Sequence, residues 1–354
     1  MLMYWSMYIM AAFASLSERV RKPNKTNHFI IAYLLFIWLV MGFRETGGDW
    51  STYLYMFDII SDMPLVETLQ ITDPAYGFLN WLSAQLGTGL YGVNIICSAI
   101  FLFCLYKFAM QEGKPVLVLA VATPYLITVV AIGYTRQGVA IGIFLYALKS
   151  LRNKQVFAYI LLVLFAAAFH RSAVITLPLA YFAVRTKSDL LLKVIRIVAI
   201  IFACYFIYIN TTAQFDLFWA HYVQSNHYVS QGALIRSLMS AAAAVVFLVY
   251  RKKWKRIWQD GAVWLILSLA ALIAVPLTSI ASTAVDRMGL YLIPLQLVTF
   301  SRLPLLQRNK NSANSMVLLV LLLYGITLAV WLHLGQFSAA LWVPYKSLLL
   351  GTIP

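Results

Sequence analysis

Five arginines, Arg44, Arg136, Arg171, Arg236 and Arg287, each stand at the end of an apolar run. A guanidinium stays charged at physiological pH and offers a planar fork of donors that matches phosphate oxygens, so a ring of them suits a phosphorylated ligand. Arginines at helix ends also snorkel to headgroups or pair locally, as Arg287 would with Asp286. Arg44 opens the densest polar stretch of the chain, FRETGGDWSTYLYMFD from Phe43 to Asp58. Its Glu45 and Asp49, and separately Asp58 and Asp62, are four apart and would share a face if helical, as a general base or a divalent ion requires. Gly47 and Gly48 favour a loop instead, and with no Asp-x-Asp box no metal is expected. Asp49 reads either as a catalytic base or as the cap of the helix that follows. His170, beside Arg171, reads as a base or donor near neutral pH, or as a helix-end histidine bonded to backbone. Trp50, Tyr53, Tyr55 and Tyr76 can stack on sugar rings or anchor helices at a membrane interface. His221 and His227 read as exposed loop residues.

The elements that must position these side chains are greasy helices. With 62% hydrophobic and 11% charged residues and a mean hydropathy of +0.81, the chain has too little polar surface to be a soluble domain. It reads as one all-α integral membrane domain over residues 1–354 with about 12 transmembrane helices, starting near Leu2, Phe29, Leu90, Val116, Gln137, Val156, Ser172, Val194, Ser237, Ala262, Met288 and Met316. No signal-peptide pattern precedes the first run, which is expected to be retained. Cys97, Cys104 and Cys204 lie within apolar segments and offer neither a disulfide framework nor metal-ligand spacing.

Charge orients the spans. The loops at Arg19–Lys25, Lys107–Lys114, Lys149–Lys154, Arg185–Arg196, Arg251–Arg256 and Arg302–Lys310 hold 21 of the 27 Lys and Arg, and only four of the 12 acids, Glu18, Glu112, Asp189 and Asp260, lie in them or beside them. By the positive-inside rule they are cytoplasmic, both termini are outside, and the net charge of +15 is a topological signature with no nucleic-acid partner implied. Three outer segments result: residues 44–89, whose Asp73–Gly87 part has the spacing of an amphipathic interfacial helix, the loop 210–236, and the tail 335–354. Between Lys154 and Arg185 only 30 residues serve two crossings. Fifteen residues of helix reach about 22 Å against roughly 30 Å of hydrocarbon. The His170–Arg171 tip should therefore sit below the outer surface, and Arg136, in a similarly short hairpin, at or just under it. Charged groups at that depth need water, a partner or a ligand, which implies a crater open to the outside.

These residues resemble the EpsG-like branch of the bacterial Wzy polysaccharide polymerases. The likeness rests on RETGGDWSTYLYMF, DPAYGFLNWL, YTRQGVAIGIF, FHRSAVITLPL, the Asp286–Arg287 pair with Tyr291, and the terminal WVPYK, in order along nearly the whole chain. It implies a multi-pass protein of the bacterial cytoplasmic (inner) membrane with a GT-C-like polytopic architecture. The activity implied is a glycosyltransferase that moves a growing glycan chain from undecaprenyl pyrophosphate to an incoming lipid-linked repeat unit at the periplasmic face, without a cofactor. Arg44, Arg136, Arg171 and Arg287 would bind the pyrophosphate, with Arg236 a further candidate. His170 and Asp49 would be the catalytic candidates, and Tyr53, Trp50, Tyr76 and Tyr291 the sugar-binding ones. A flippase and a chain-length regulator are the protein partners implied. Two other readings stay open: a carrier of lipid-linked oligosaccharide, and an O-antigen ligase or another GT-C transferase. The lack of charge at the middle of any span weighs against the carrier.

Overall fold

The computed structural model describes residues 1–18, 28–183 and 232–353, together with Val194, Ile197, Val198, Ile201 and Ser230. The basic loops at 19–25 and 185–196, the span expected from Val194, the outer loop Asn210–Gln231 with His221 and His227, and Cys204 lie wholly or mostly outside the described residues.

Most of what is described is helix: α1 (Leu2–Leu16), α2 (His28–Gly42), α3 (Trp50–Ser61), α4 (Leu65–Ile71), α5 (Pro74–Gln85), α6 (Gly89–Ala109), α7 (Pro115–Ala122), α8 (Thr135–Arg152), α9 (Val156–Phe169), α10 (Leu179–Ala183), α11 (Ala233–Ile257), α12 (Gly261–Leu277), α13 (Ser282–Gly289), α14 (Ile293–Arg302), α15 (Lys310–Leu334) and α16 (Gln336–Leu341). A short antiparallel hairpin pairs Tyr345–Ser347 with Gly351–Ile353. Among the described residues four helical stretches are long and apolar enough to cross a bilayer alone, Gly89–Ala109, Ala233–Ile257, Ser282–Leu306 and Lys310–Leu334, and five shorter apolar helices accompany them. With the composition, this makes the chain a polytopic helical membrane protein, but the described residues do not establish twelve crossings.

Proline explains where the apolar runs depart from uniform spans. The run from Ser172 is no continuous helix: a 3₁₀ helix, Arg171–Thr176, gives way to a turn and the five-residue α10. Pro178 has no N–H to donate and disfavours helical backbone at the residue before it, so the limb breaks there. The run from Val116 starts as α7 and widens at Pro124 into a π-helix, Thr123–Ala131, which loosens the hydrogen-bond ladder that proline cannot join. The first limb of the expected hairpin is α9, which has 14 residues and ends immediately before His170.

The chain divides into two compact units. One comprises Met1–Tyr146, Phe165–Arg171 and Phe300–Pro354, the other Ala147–Leu164 and Ser172–Thr299. In the first, α2 packs on α6 and α1 on α7. The Glu18 carboxylate accepts from the amides of Val116 and Leu117 at 2.8 and 3.1 Å, capping α7 where helix amides lack internal partners. Arg302, at the end of α14, makes a two-pronged ion pair with Glu112 at 2.6 and 3.0 Å, and both side chains are buried. In the second unit α11 and α12 pack together. Asp260, between them, pairs with Arg152 at 3.0 Å and accepts from the Trp254 indole at 3.2 Å.

Candidate functional site

In the first unit the stretch 44–89, expected from the sequence to lie outside, folds as α3, α4 and α5. These helices set three of the predicted residues around Arg136, in the first turn of α8. The Arg136 guanidinium lies over the rings of both Tyr53 and Tyr76, 5.8 and 5.7 Å from their centroids. Its Nη1 donates to Asp73 Oδ2 at 3.1 Å and to Thr72 Oγ1 at 3.3 Å, yet 29% of the side chain remains exposed. Asp73 precedes Pro74 at the start of α5, so the proline fixes the first turn and the carboxylate projects away without capping it. Its other oxygen accepts from the backbone N–H of Arg171 at 3.3 Å. One carboxylate thus ties the start of α8 to the tip between α9 and the 3₁₀ turn. Burial raises the Asp73 pKa above the ordinary carboxylate value, against the opposing pull of Arg136 and the Arg171 amide.

Asp49 joins this cluster from the other side. It stands at the N-cap position of α3 without making the side-chain cap bond, and Tyr53 Oη donates to its Oδ2 at 3.4 Å. Tyr53 and Tyr76 are buried, with ring centroids 5.5 Å apart, and burial pushes both phenols up so that they stay neutral. They wall in Arg136 and present no face to a sugar. Trp50 is half-buried against Tyr91, while Tyr55 is exposed. His170 is half-buried, its amide closing the last turn of α9 on Ala166, and the Arg171 side chain is exposed. Asp58 and Asp62 are exposed on and after α3, so that acid pair faces away from the cluster.

Arg44 lies deeper. It is 1% exposed, donates to the carbonyl of Thr46 at 2.6 Å and to Thr135 Oγ1 at 2.5 Å, and sits 5.8 Å from the Trp50 ring. Burial lowers its pKa, though a guanidinium keeps its charge. The terminal WVPYK stretch holds this region in place. Trp342 is fully buried, its indole donating to the Thr128 carbonyl at 2.8 Å, and the amides of Glu45, Gly47 and Leu348 bond to the carbonyls of Lys346, Leu341 and Phe43. Two glycines permit the fit. Gly47 has φ +125°, and a Cβ on Gly133 would lie 2.2 Å from the Trp342 ring.

The remaining predicted residues belong to the second unit. Arg236 lies in the first turn of α11, not in a loop, and pairs with Asp286 through Nε–Oδ1 at 2.5 Å and Nη2–Oδ2 at 2.7 Å. Asp286 thus serves Arg236 across the packing of two helices, and Arg287, its neighbour in sequence, is exposed. Tyr291 is buried with its hydroxyl 3.0 Å from that of Ser172.

Sequence reasoning missed Asp73, Thr135 and Trp342. Asp73 heads the quoted DPAYGFLNWL motif, and its Asp-Pro pair was a legible helix start. Thr135 adjoins Arg136 but carries no charge to draw notice. The EpsG family model matches residues 27–347. No curated protein and no solved structure matches the chain.

Proposed function

The chain belongs to the EpsG family of exopolysaccharide and O-antigen polymerase-like proteins, and from that premise we propose that it polymerises lipid-linked oligosaccharide repeat units at the outer face of the bacterial cytoplasmic membrane. The observation that carries the reading is Arg136: a partly exposed guanidinium, backed by two tyrosine rings and steered by one carboxylate, beside the exposed Arg171. Arg136 and Arg171 are assigned to the undecaprenyl pyrophosphate of the donor, whose phosphate oxygens the guanidinium fork fits. A hydroxyl of the incoming unit attacks the anomeric carbon of the growing chain, and the bond to pyrophosphate breaks with its electron pair going to the leaving group. Fixed positive charge on that leaving group lowers the barrier as charge develops. Asp49 and His170 are the candidates to take the acceptor proton, Asp49 through its place beside Tyr53 and His170 through its place before Arg171. Arg44 supports this arrangement from within, since its side chain is enclosed.

The test is glycan transfer by the purified protein in detergent, supplied with a synthetic undecaprenyl-pyrophosphate repeat unit and no nucleotide sugar. A ladder of products that disappears in a folded Arg136→Ala variant supports the assignment. Unchanged substrate with several authentic repeat units, from a sample of verified fold, overturns it and favours a carrier, to be sought by flipping assays in liposomes.

A further inference from the structure

The interior beneath the Arg136 cluster holds a second site. Arg44, Asn94, Cys97, Ser98 and Thr135, with apolar neighbours, line a cavity of about 10 Å³, close to the roughly 10–15 Å³ that holds one water molecule. Two features of the lining are unusual. Asn94 is 2% exposed, and neither its amide nitrogen nor its oxygen has a hydrogen-bond partner. Arg44 is buried with only a carbonyl and a hydroxyl as hydrogen-bond acceptors, and no carboxylate lies within ion-pair distance of it among the described residues. Glu45, next in the chain, is engaged by the Tyr91 hydroxyl at 2.5 Å. The phenols nearest Arg44, those of Tyr4, Tyr53, Tyr76 and Tyr345, are neutral acids at physiological pH.

A buried charge without a counter-charge costs several kcal/mol, and an unpartnered buried amide adds its own desolvation penalty. One small anion compensates the guanidinium and accepts from the amide NH₂, the amide oxygen keeping its own cost. The cavity offers it the Arg44 fork, the Asn94 NH₂, and the Thr135 hydroxyl, whose oxygen already accepts from Arg44 and whose proton is free to point inward. Nothing acidic lines the wall. A water, smaller than a halide, would satisfy the amide but leave the guanidinium uncompensated.

We infer that the Arg44–Asn94 cavity is a structural binding site for a monovalent halide, chloride under physiological conditions. It locks Arg44 and Thr135 in place and so steadies the start of α8, one residue from Arg136. The experiment is thermal unfolding of the purified protein at constant ionic strength while sodium gluconate is exchanged for sodium chloride or bromide, on the wild type and on Asn94→Asp and Asn94→Leu. The wild type should show a saturable rise in Tm with either halide, because a ligand that binds only the folded state stabilises it by mass action. Asn94→Asp places a carboxylate beside Arg44 and should hold its Tm in gluconate with no response to halide. Asn94→Leu should lose the response at a lower Tm. Equal wild-type Tm in gluconate and chloride, or an undiminished chloride response in Asn94→Asp, overturns the inference.

Discussion

Replacing Glu112 by Gln should destabilise the protein far more than the loss of one hydrogen bond. Glu112 and Arg302 are 1% and 0% exposed in their side chains and meet through two contacts of 2.6 and 3.0 Å. Neither group can fall back on water, so removing one partner takes this counter-charge from the other while it stays buried, at about 3–5 kcal/mol. Arg302→Met does the same to Glu112 at similar cost. In the double variant Glu112→Met/Arg302→Met no charge is left to desolvate, and two flexible thioethers fill much of the volume. Its loss should be smaller than that of either single variant, giving a coupling energy of roughly 3 kcal/mol or more across the cycle. The assay is thermal unfolding in detergent of the four proteins, monitored by size-exclusion fluorescence. Should the double variant lose as much as the two singles added together, the pair is not acting as a unit and the reasoning fails.

Three further outcomes are expected. Asp73→Asn should remove a pH dependence: because burial raises the folded-state pKa of Asp73, the folded protein holds this proton more tightly than the unfolded chain. Stability then falls as pH rises from the ordinary carboxylate value through the raised one, a slope in Tm that the variant should lack. Gly133→Ala forces a methyl to within 2.2 Å of a buried indole and should cost about 1–3 kcal/mol by overpacking, partly restored by Trp342→Phe, read as Tm in single and double variants. Arg136→Lys should keep the protein folded but lose most glycan transfer, since an ammonium is a point charge and not a planar fork; transfer at the wild-type rate in the assay of lipid-linked repeats would remove Arg136 from the site.

Much of the architecture was legible because membrane physics leaves few options. Length arithmetic allowed only about 15 residues before His170, and α9 runs for 14 and ends there. The number of crossings was less legible because prolines interrupt the apolar runs. Hydropathy is blind to a missing N–H, so Pro124 and Pro178 leave the run apolar while converting helix to π-helix or to broken turns. Side-chain partners were harder still. Asp286 adjoins Arg287 in sequence but meets Arg236 from 50 residues away, and Asp73 reaches Arg136 across 63. Spacing rules describe one helix face, whereas these pairs are made by packing between helices.

That distinction also decides which of the RETGGD and YTRQG arginines can meet a ligand. Both stand at the end of an apolar run and both offer the same fork, so composition gives no ground for preferring one. Arg44 is enclosed beside the tail held by Trp342, and its cavity of about 10 Å³ is close to the size that holds one water molecule, far less than a pyrophosphate with its lipid and sugar. Arg136 has an open side, and its one carboxylate partner is a group whose charge burial already disfavours. On the proposed reading, a phosphate at Arg136 competes with a rival whose charge is already disfavoured, and protonation of Asp73 removes that competition. The same motif arginines thus divide into an internal brace and an outward-facing fork, joined by the single step from Thr135 to Arg136.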